Sequence, residues 1–227
     1  MVGACASWWS AAGDLLLGAA CPGCGAAGWG LCPACAAGLR VRDEVRWPVG
    51  GRPGVAAAEY AGTVRGCLVA YKERRVRLLA GPLGEALAWA VAGVLAGSGP
   101  VALAPVPSSP ATVRERGDDV TWRLARVAAQ RLRRAGVAAS AERLLVQARA
   151  VRDQSGLDAA ARERNLAGSL RAVARAGPPV VVVDDIATSG ATLREAVRAV
   201  GASGRVVLGA AVVAATRRRS GRDGRLG

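Results

Sequence analysis

The chain has 227 residues, 52% of them hydrophobic, which suffices for one main core and a small additional lobe. It contains no histidine, which excludes any mixed Cys/His metal site, and its 31 basic against 17 acidic residues give a net charge of +14. The excess is uneven, +3 over residues 1–100 and +11 over residues 101–227; that field suits a polyanion such as nucleic acid, although coding bias explains an arginine-heavy, Phe-free composition equally well.

Taken in chain order, Leu15-Leu16-Leu17-Gly18-Ala19-Ala20-Cys21 imitates a lipoprotein cleavage site, but no Lys or Arg precedes it and Asp14 interrupts the apolar run. No export signal is expected. Cys21-Pro22-Gly23-Cys24 and Cys32-Pro33-Ala34-Cys35 form two Cys-x-x-Cys knuckles around a Gly-rich turn. That spacing predicts a closed four-cysteine Zn²⁺ site in a zinc-ribbon-like lobe, ahead of a pair of disulfides or a redox dithiol. Cys67 reads as a buried thiol.

Residues 55–60 are expected to form a strand, 63–74 a helix, and 78–95 a second helix. The stretch 78–97 is apolar, but Gly81, Pro82, Gly84 and Glu85 make it a buried helix and not a membrane span, so a cytoplasmic protein without a transmembrane segment is expected. Residues 101–107 read as a strand that breaks into a loop over 108–119. Asp119 is placed to cap a helix reaching Arg134, with Leu124, Val127, Ala128 and Leu132 inward and Arg123, Arg126, Gln130, Arg133 and Arg134 outward. Residues 144–147 and 169–173 are short strand candidates, and 205–215 is a final strand. The alternation of strands and helices predicts an α/β fold with a mainly parallel sheet covered on both faces.

The densest signal is Val180-Val181-Val182-Val183-Asp184-Asp185-Ile186-Ala187-Thr188-Ser189-Gly190-Ala191-Thr192. Four β-branched residues predict a buried parallel strand, and two carboxylates appear where ligands sit on open α/β sheets, beyond the strand's carboxyl end. Leu193, Ala196, Val197 and Val200 then repeat at helical spacing, so residues 188–192 lead into a helix N-terminus, a place suited to a phosphate. This run resembles the phosphoribosyl diphosphate (PRPP) signature of the type I phosphoribosyltransferases. The resemblance implies that Asp184 and Asp185 face the ribose hydroxyls and that Thr188, Ser189, Gly190, Ala191 and Thr192 wrap the 5′-phosphate.

The whole order also resembles the ComF family of competence-associated, phosphoribosyltransferase-like proteins, including its GntX-type members. The resemblance runs from about residue 15 to 215 and rests on the knuckles, Tyr60-x-Gly62-x-x-Arg65, Pro105-Val106-Pro107 with Arg116-Gly117, and the PRPP-like run. It implies a diphosphate-contacting loop over 105–117, with Arg114, Arg116 and Gly117, and a flexible segment with Arg149, Arg152, Gln154, Arg164, Asn165 and Gly168 near the ligand. Where many members continue with an aromatic residue and Asn, this chain has Asp118-Asp119, which either start the next helix or need Mg²⁺ to stand beside a diphosphate. The implied role is handling single-stranded DNA, with the DNA-uptake machinery as partner. An active phosphoribosyltransferase using PRPP and Mg²⁺, and a PRPP-binding sensor, use the same motif. The expected division is a zinc-bearing segment over 1–50, the phosphoribosyltransferase-like domain over 51–215 and a disordered basic tail over 216–227.

Overall fold

The computed structural model describes residues 20–40, 43–95, 97, 99–108, 113–114, 117–149, 164–173 and 176–217. The basic tail beyond Arg217 and the whole of residues 150–163 lie outside the described residues.

A short helix α1 (Pro33–Gly38) begins inside the second cysteine knuckle and carries Cys35. The sheet begins with a hairpin, β1 (Val45–Val49) antiparallel to β2 (Arg52–Glu59). Gly50 and Gly51 turn it at φ of 56° and 74°, the positive values that a two-residue turn matched to strand twist requires. Helix α2 (Gly62–Lys72), a 3₁₀ turn at Arg77–Leu79 and helix α3 (Ala80–Val94) lead to β3 (Val101–Pro105). After the loop come α4 (Val120–Arg134), β4 (Ala139–Ala141), β5 (Leu145–Gln147), β6 (Leu170–Ala172), β7 (Val180–Ala187), α5 (Ala191–Ala202) and β8 (Val207–Ala215).

The main sheet has the order β1-β2-β8-β7-β3-β4 and is parallel except for the β1–β2 pair. Strand β7 lies inside it, paired with β3 on one side and β8 on the other, which explains its unbroken valines. Their two-residue period divides the core. Val181 and Val183 face Leu68, Leu83, Leu87 and Leu124 from α2, α3 and α4, while Val180 and Val182 face Leu193, Ala196 and Val200 of α5. Helices therefore cover both faces, as the sequence predicts.

Asp119 caps α4 as expected, its Oδ1 accepting the Trp122 N–H at 3.1 Å. The α4 faces largely follow the prediction, with Leu124, Ala128 and Leu132 buried and Arg126, Gln130, Arg133 and Arg134 exposed; Arg123, expected outward, and Val127, expected inward, are both only partly buried. Strands β5 and β6 form a separate antiparallel ribbon. It is tied to α5 by the buried Glu195, whose Oε1 accepts the Leu170 N–H at 3.1 Å and whose carboxylate takes two bonds from Arg198 at 2.7 and 2.8 Å. Burial disfavours the charge on Glu195, but Arg198 and the Leu170 N–H outweigh it and hold the carboxyl below its ordinary value. Among the described residues no helix is long and apolar enough to cross a membrane.

Candidate functional site

The carboxyl end of β7 delivers both acids to one cavity of about 340 Å³, walled by Lys72, Val106, Pro107, Ser108, Val120, Thr121, Asp184, Asp185, Ile186 and Thr188. Asp185 is buried, 3% exposed, and Asp184 is partly exposed. The Asp185 N–H donates to Asp184 Oδ1 at 2.8 Å, which fixes the first carboxylate against the backbone. Lys72, the last residue of α2, places its Nζ 2.8 Å from Asp185 Oδ2. Burial, and then the neighbouring Asp185 charge, push the Asp184 carboxyl well above the usual range, with Lys72 pulling it back. Two neighbouring carboxylates, one of them paired with an ammonium, make a polar end that can accept hydrogen bonds from a diol.

Beyond the acids the chain makes a loop rather than continuing the strand. Gly190 sits at the N-cap of α5 with φ 71°, a left-handed value that favours glycine, and the first turn of α5 brings N–H groups to this end. Thr188 is exposed, Ser189 and Thr192 are partly buried, and Ala191 is buried. The Ala191 N–H donates to Ser189 Oγ at 3.4 Å, and Arg194 Nη1 donates to the Ser189 carbonyl at 3.0 Å. Just past β8, Thr216 Oγ1 donates to the Thr188 carbonyl at 3.2 Å. A second cavity of about 210 Å³ lies against the same loop, walled by Val45, Arg46, Trp47, Ala187, Thr188, Ser189, Gly190, Ala215, Thr216 and Arg217. The loop therefore has a cavity with the acids on one side and a cavity with an indole and two arginines on the other.

The expected diphosphate loop is placed in part. Pro107 and Ser108 wall the acid cavity, whereas Arg114 is exposed, Gly117 has φ 68°, and neither is a wall residue. Arg149 Nη2 donates to the carbonyls of Asn165 and Ala167, at 2.8 Å each, and so closes the base of the β5–β6 ribbon; Arg164 is exposed. Arg116 and Arg152 lie outside the described residues. Asp118 and Asp119 are both engaged, Asp118 by Arg123 at 2.8 Å and Asp119 by the helix cap and Arg143 at 3.2 Å.

A separate site forms at the knuckles. The sulfurs of Cys21, Cys24, Cys32 and Cys35 all lie within 4.8 Å of one another, and Cys24 Sγ is 3.8 Å from Cys32 Sγ. Four thiolates about 2.3 Å from a central Zn²⁺ stand roughly 3.8 Å apart, so the donor set and spacing fit a structural zinc. Burial raises the Cys21 thiol, but the N–H groups of Cys32, Cys24 and Gly23 outweigh it and bring it down to about 6. Cys35, more isolated from such donors, is pushed by burial up to about 12. Cys67 is fully buried, as expected.

The lobe rests on the first half of α2. Cys35 Sγ is 3.8 Å from Thr63 Oγ1, and Arg74 Nη2 donates to the Pro22 carbonyl at 3.3 Å. Lys72, Trp47 and Arg194 are the residues about these cavities that sequence reasoning missed. A Gly-Gly pair after a short apolar run was the one available signal for the hairpin that carries Trp47.

An acid pair with one buried member, a glycine loop at a helix N-terminus and the carboxyl end of a parallel sheet are now joined in one place. Residues 123–224 match the phosphoribosyl transferase domain family. No curated protein matches the chain significantly. The phosphoribosyl-transferase-type match runs from within α4 through β8, including both acids and the loop, while Lys72, Trp47 and the four cysteines lie outside the matched stretch.

Proposed function

We propose that this protein binds PRPP at the β7 edge and is a phosphoribosyltransferase, its acceptor entering from the Trp47 side of the loop. The observation that carries the reading is the joint placement of Asp184, Asp185 and the Gly190 loop at the carboxyl end of a central parallel strand. Asp184 and Asp185 would accept from the ribose hydroxyls, and Thr188 to Thr192 would surround the 5′-phosphate with N–H and hydroxyl donors. On this reading Mg²⁺ arrives with the diphosphate, since Mg²⁺ is commonly held by substrate phosphates together with one or two carboxylates. The cysteines would hold Zn²⁺ as a structural ion. A cytoplasmic location accords with this metabolite.

The test is calorimetric titration of the zinc-loaded protein with PRPP and Mg²⁺ and with ribose 5-phosphate. Asp185→Asn and Thr192→Ala are each expected to weaken binding by about 1.5–3 kcal/mol, the range for a hydrogen bond to a charged group. Wild-type protein that binds neither ligand at millimolar concentration rules the reading out. Release of diphosphate that depends on an added acceptor base separates a transferase from a non-catalytic PRPP sensor.

The ComF-type reading, handling of single-stranded DNA during uptake together with the uptake machinery, is favoured by a different surface. A groove of about 670 Å³ on α4 is walled by Trp122, Arg123, Arg126, Gln130 and Arg133 among others, and Arg143 stacks over the Trp122 ring at 4.5 Å. On this reading, affinity for a single-stranded oligonucleotide falls with salt at a log–log slope of roughly −0.7 per phosphate neutralised. The Arg133→Ala/Arg134→Ala variant and a chain ending at Thr216 should flatten that slope. An oligonucleotide that fails to bind in low salt, or binds all three proteins alike, removes the DNA role.

A further inference from the structure

We propose that Lys72 selects a sugar carrying a diphosphate over a simple sugar phosphate, an inference that rests on reading the acid cavity as the ribose site. Lys72 is the only lysine in the chain, and its ammonium stands 2.8 Å from an almost wholly buried carboxylate, that of Asp185. The charged wall residues of the cavity are Lys72, Asp184 and Asp185. Without Lys72 that wall would hold two carboxylates and no cation, a field that falls most heavily on phosphates standing beside the acids and far less on a 5′-phosphate held at the Gly190 loop.

Lys72 also belongs to the wall of a small adjoining cleft with Tyr71, Arg75, Arg77, Asp118 and Val120. The one acid of that cleft, Asp118, is held by Arg123 at 2.8 Å. Arg75 adopts φ 56°, among the described residues the one positive value outside glycine, an uncommon conformation that recurs at ligand sites. Three cations thus wall this cleft beside the acid pair, and the Tyr71 hydroxyl, donating to the Val120 carbonyl at 3.1 Å, ties the end of α2 to the start of α4. Ribose hydroxyls that donate to Asp184 and Asp185 take over part of the hydrogen bonding that Lys72 supplies to Asp185. The ammonium, a point charge with rotatable donors on a flexible stem, then turns to the phosphates on C1, with Arg75 and Arg77 beyond it.

The test compares the full zinc-loaded wild-type protein with Lys72→Gln and Lys72→Arg, by calorimetry with PRPP and with ribose 5-phosphate under one Mg²⁺ concentration. Glutamine keeps a donor toward Asp185 and loses the charge. The expected result is a loss of at least about tenfold in PRPP affinity for Lys72→Gln, against less than about threefold for ribose 5-phosphate, with most of the preference kept in Lys72→Arg. Equal losses for the two ligands, or no loss, overturn the proposal while leaving the ribose site standing. Wild-type protein that binds neither ligand removes the ribose site, and this inference with it. Should Lys72→Gln fail to fold, wild-type protein labelled with ¹³C-lysine gives a single Cε resonance. A larger shift with PRPP than with ribose 5-phosphate supports the contact, and equal shifts refute it.

Discussion

Cys35→Ser is expected to abolish stoichiometric zinc binding and to unfold residues 20–40, while the six-stranded sheet stays folded. Cys35 is 3% exposed and sits at the centre of the lobe, whose own buried apolar residues amount to little beyond Cys21 and Leu39. A lobe of this size has too little core to order itself, and a structural zinc supplies on the order of 10 kcal/mol of folding free energy. The sheet has its own two-sided core, built from Val180 to Val183 and the leucines of the flanking helices, so it does not share this dependence. Metal analysis of the reduced, gel-filtered protein and amide hydrogen exchange report the two halves of the result. One zinc per chain in Cys35→Ser, or unchanged protection of the lobe, would sink the assignment of these four thiolates.

Gly66→Ala should separate the lobe from α2 without costing it the metal. A β-carbon at Gly66 would stand 2.3 Å from the Gly23 carbonyl oxygen, a backbone atom with no freedom to swing aside. The two surfaces must part, with a cost of about 1–3 kcal/mol typical of overpacking. The gain in helix propensity, roughly 1 kcal/mol, offsets only some of it. The expected signature is a lowered melting temperature, faster amide exchange over residues 62–66 and a retained zinc. A variant that melts and exchanges like the wild type would show that Gly23 and Gly66 are not in contact in solution.

How much of this was legible beforehand depends on how far apart in sequence the cooperating residues lie. The β7 strand, its acids and the following helix are one continuous run, and local rules suffice: β-branched residues for a covered strand, then helical spacing from Leu193. The Asp119 cap and the two faces of α4 are local in the same sense. The four cysteines span 15 residues and announce themselves by spacing. By contrast, the Lys72–Asp185 ion pair joins residues 113 positions apart, across two elements that meet only because α2 packs on the β7 face of the sheet. Glu195 reads as one more polar residue on an amphipathic helix until the Leu170 N–H is seen to need it. The edge strands β1 and β4 are short, and β4 in particular, Ala139–Ala141, has a composition that no strand rule would select. The role foreseen for Arg116 and Arg152 stays a matter for ligand binding, since both lie outside the described residues.

Helix α2 touches the cysteine lobe through Thr63 and Gly66 and reaches the buried acid through Lys72, all within eleven residues, or about 16 Å of axis. A rod that short has no internal hinge, so the cysteine end and the carboxylate end cannot be adjusted independently. Cutting the chain after the knuckles would therefore do more than delete an accessory piece: it would strip one bearing from the helix that sets where the lysine points. Comparisons of ligand affinity between the whole protein and a trimmed version would then measure helix seating as much as chemistry. Oxidants or chelators that strip the cysteines should be expected to register at the opposite end of the same helix.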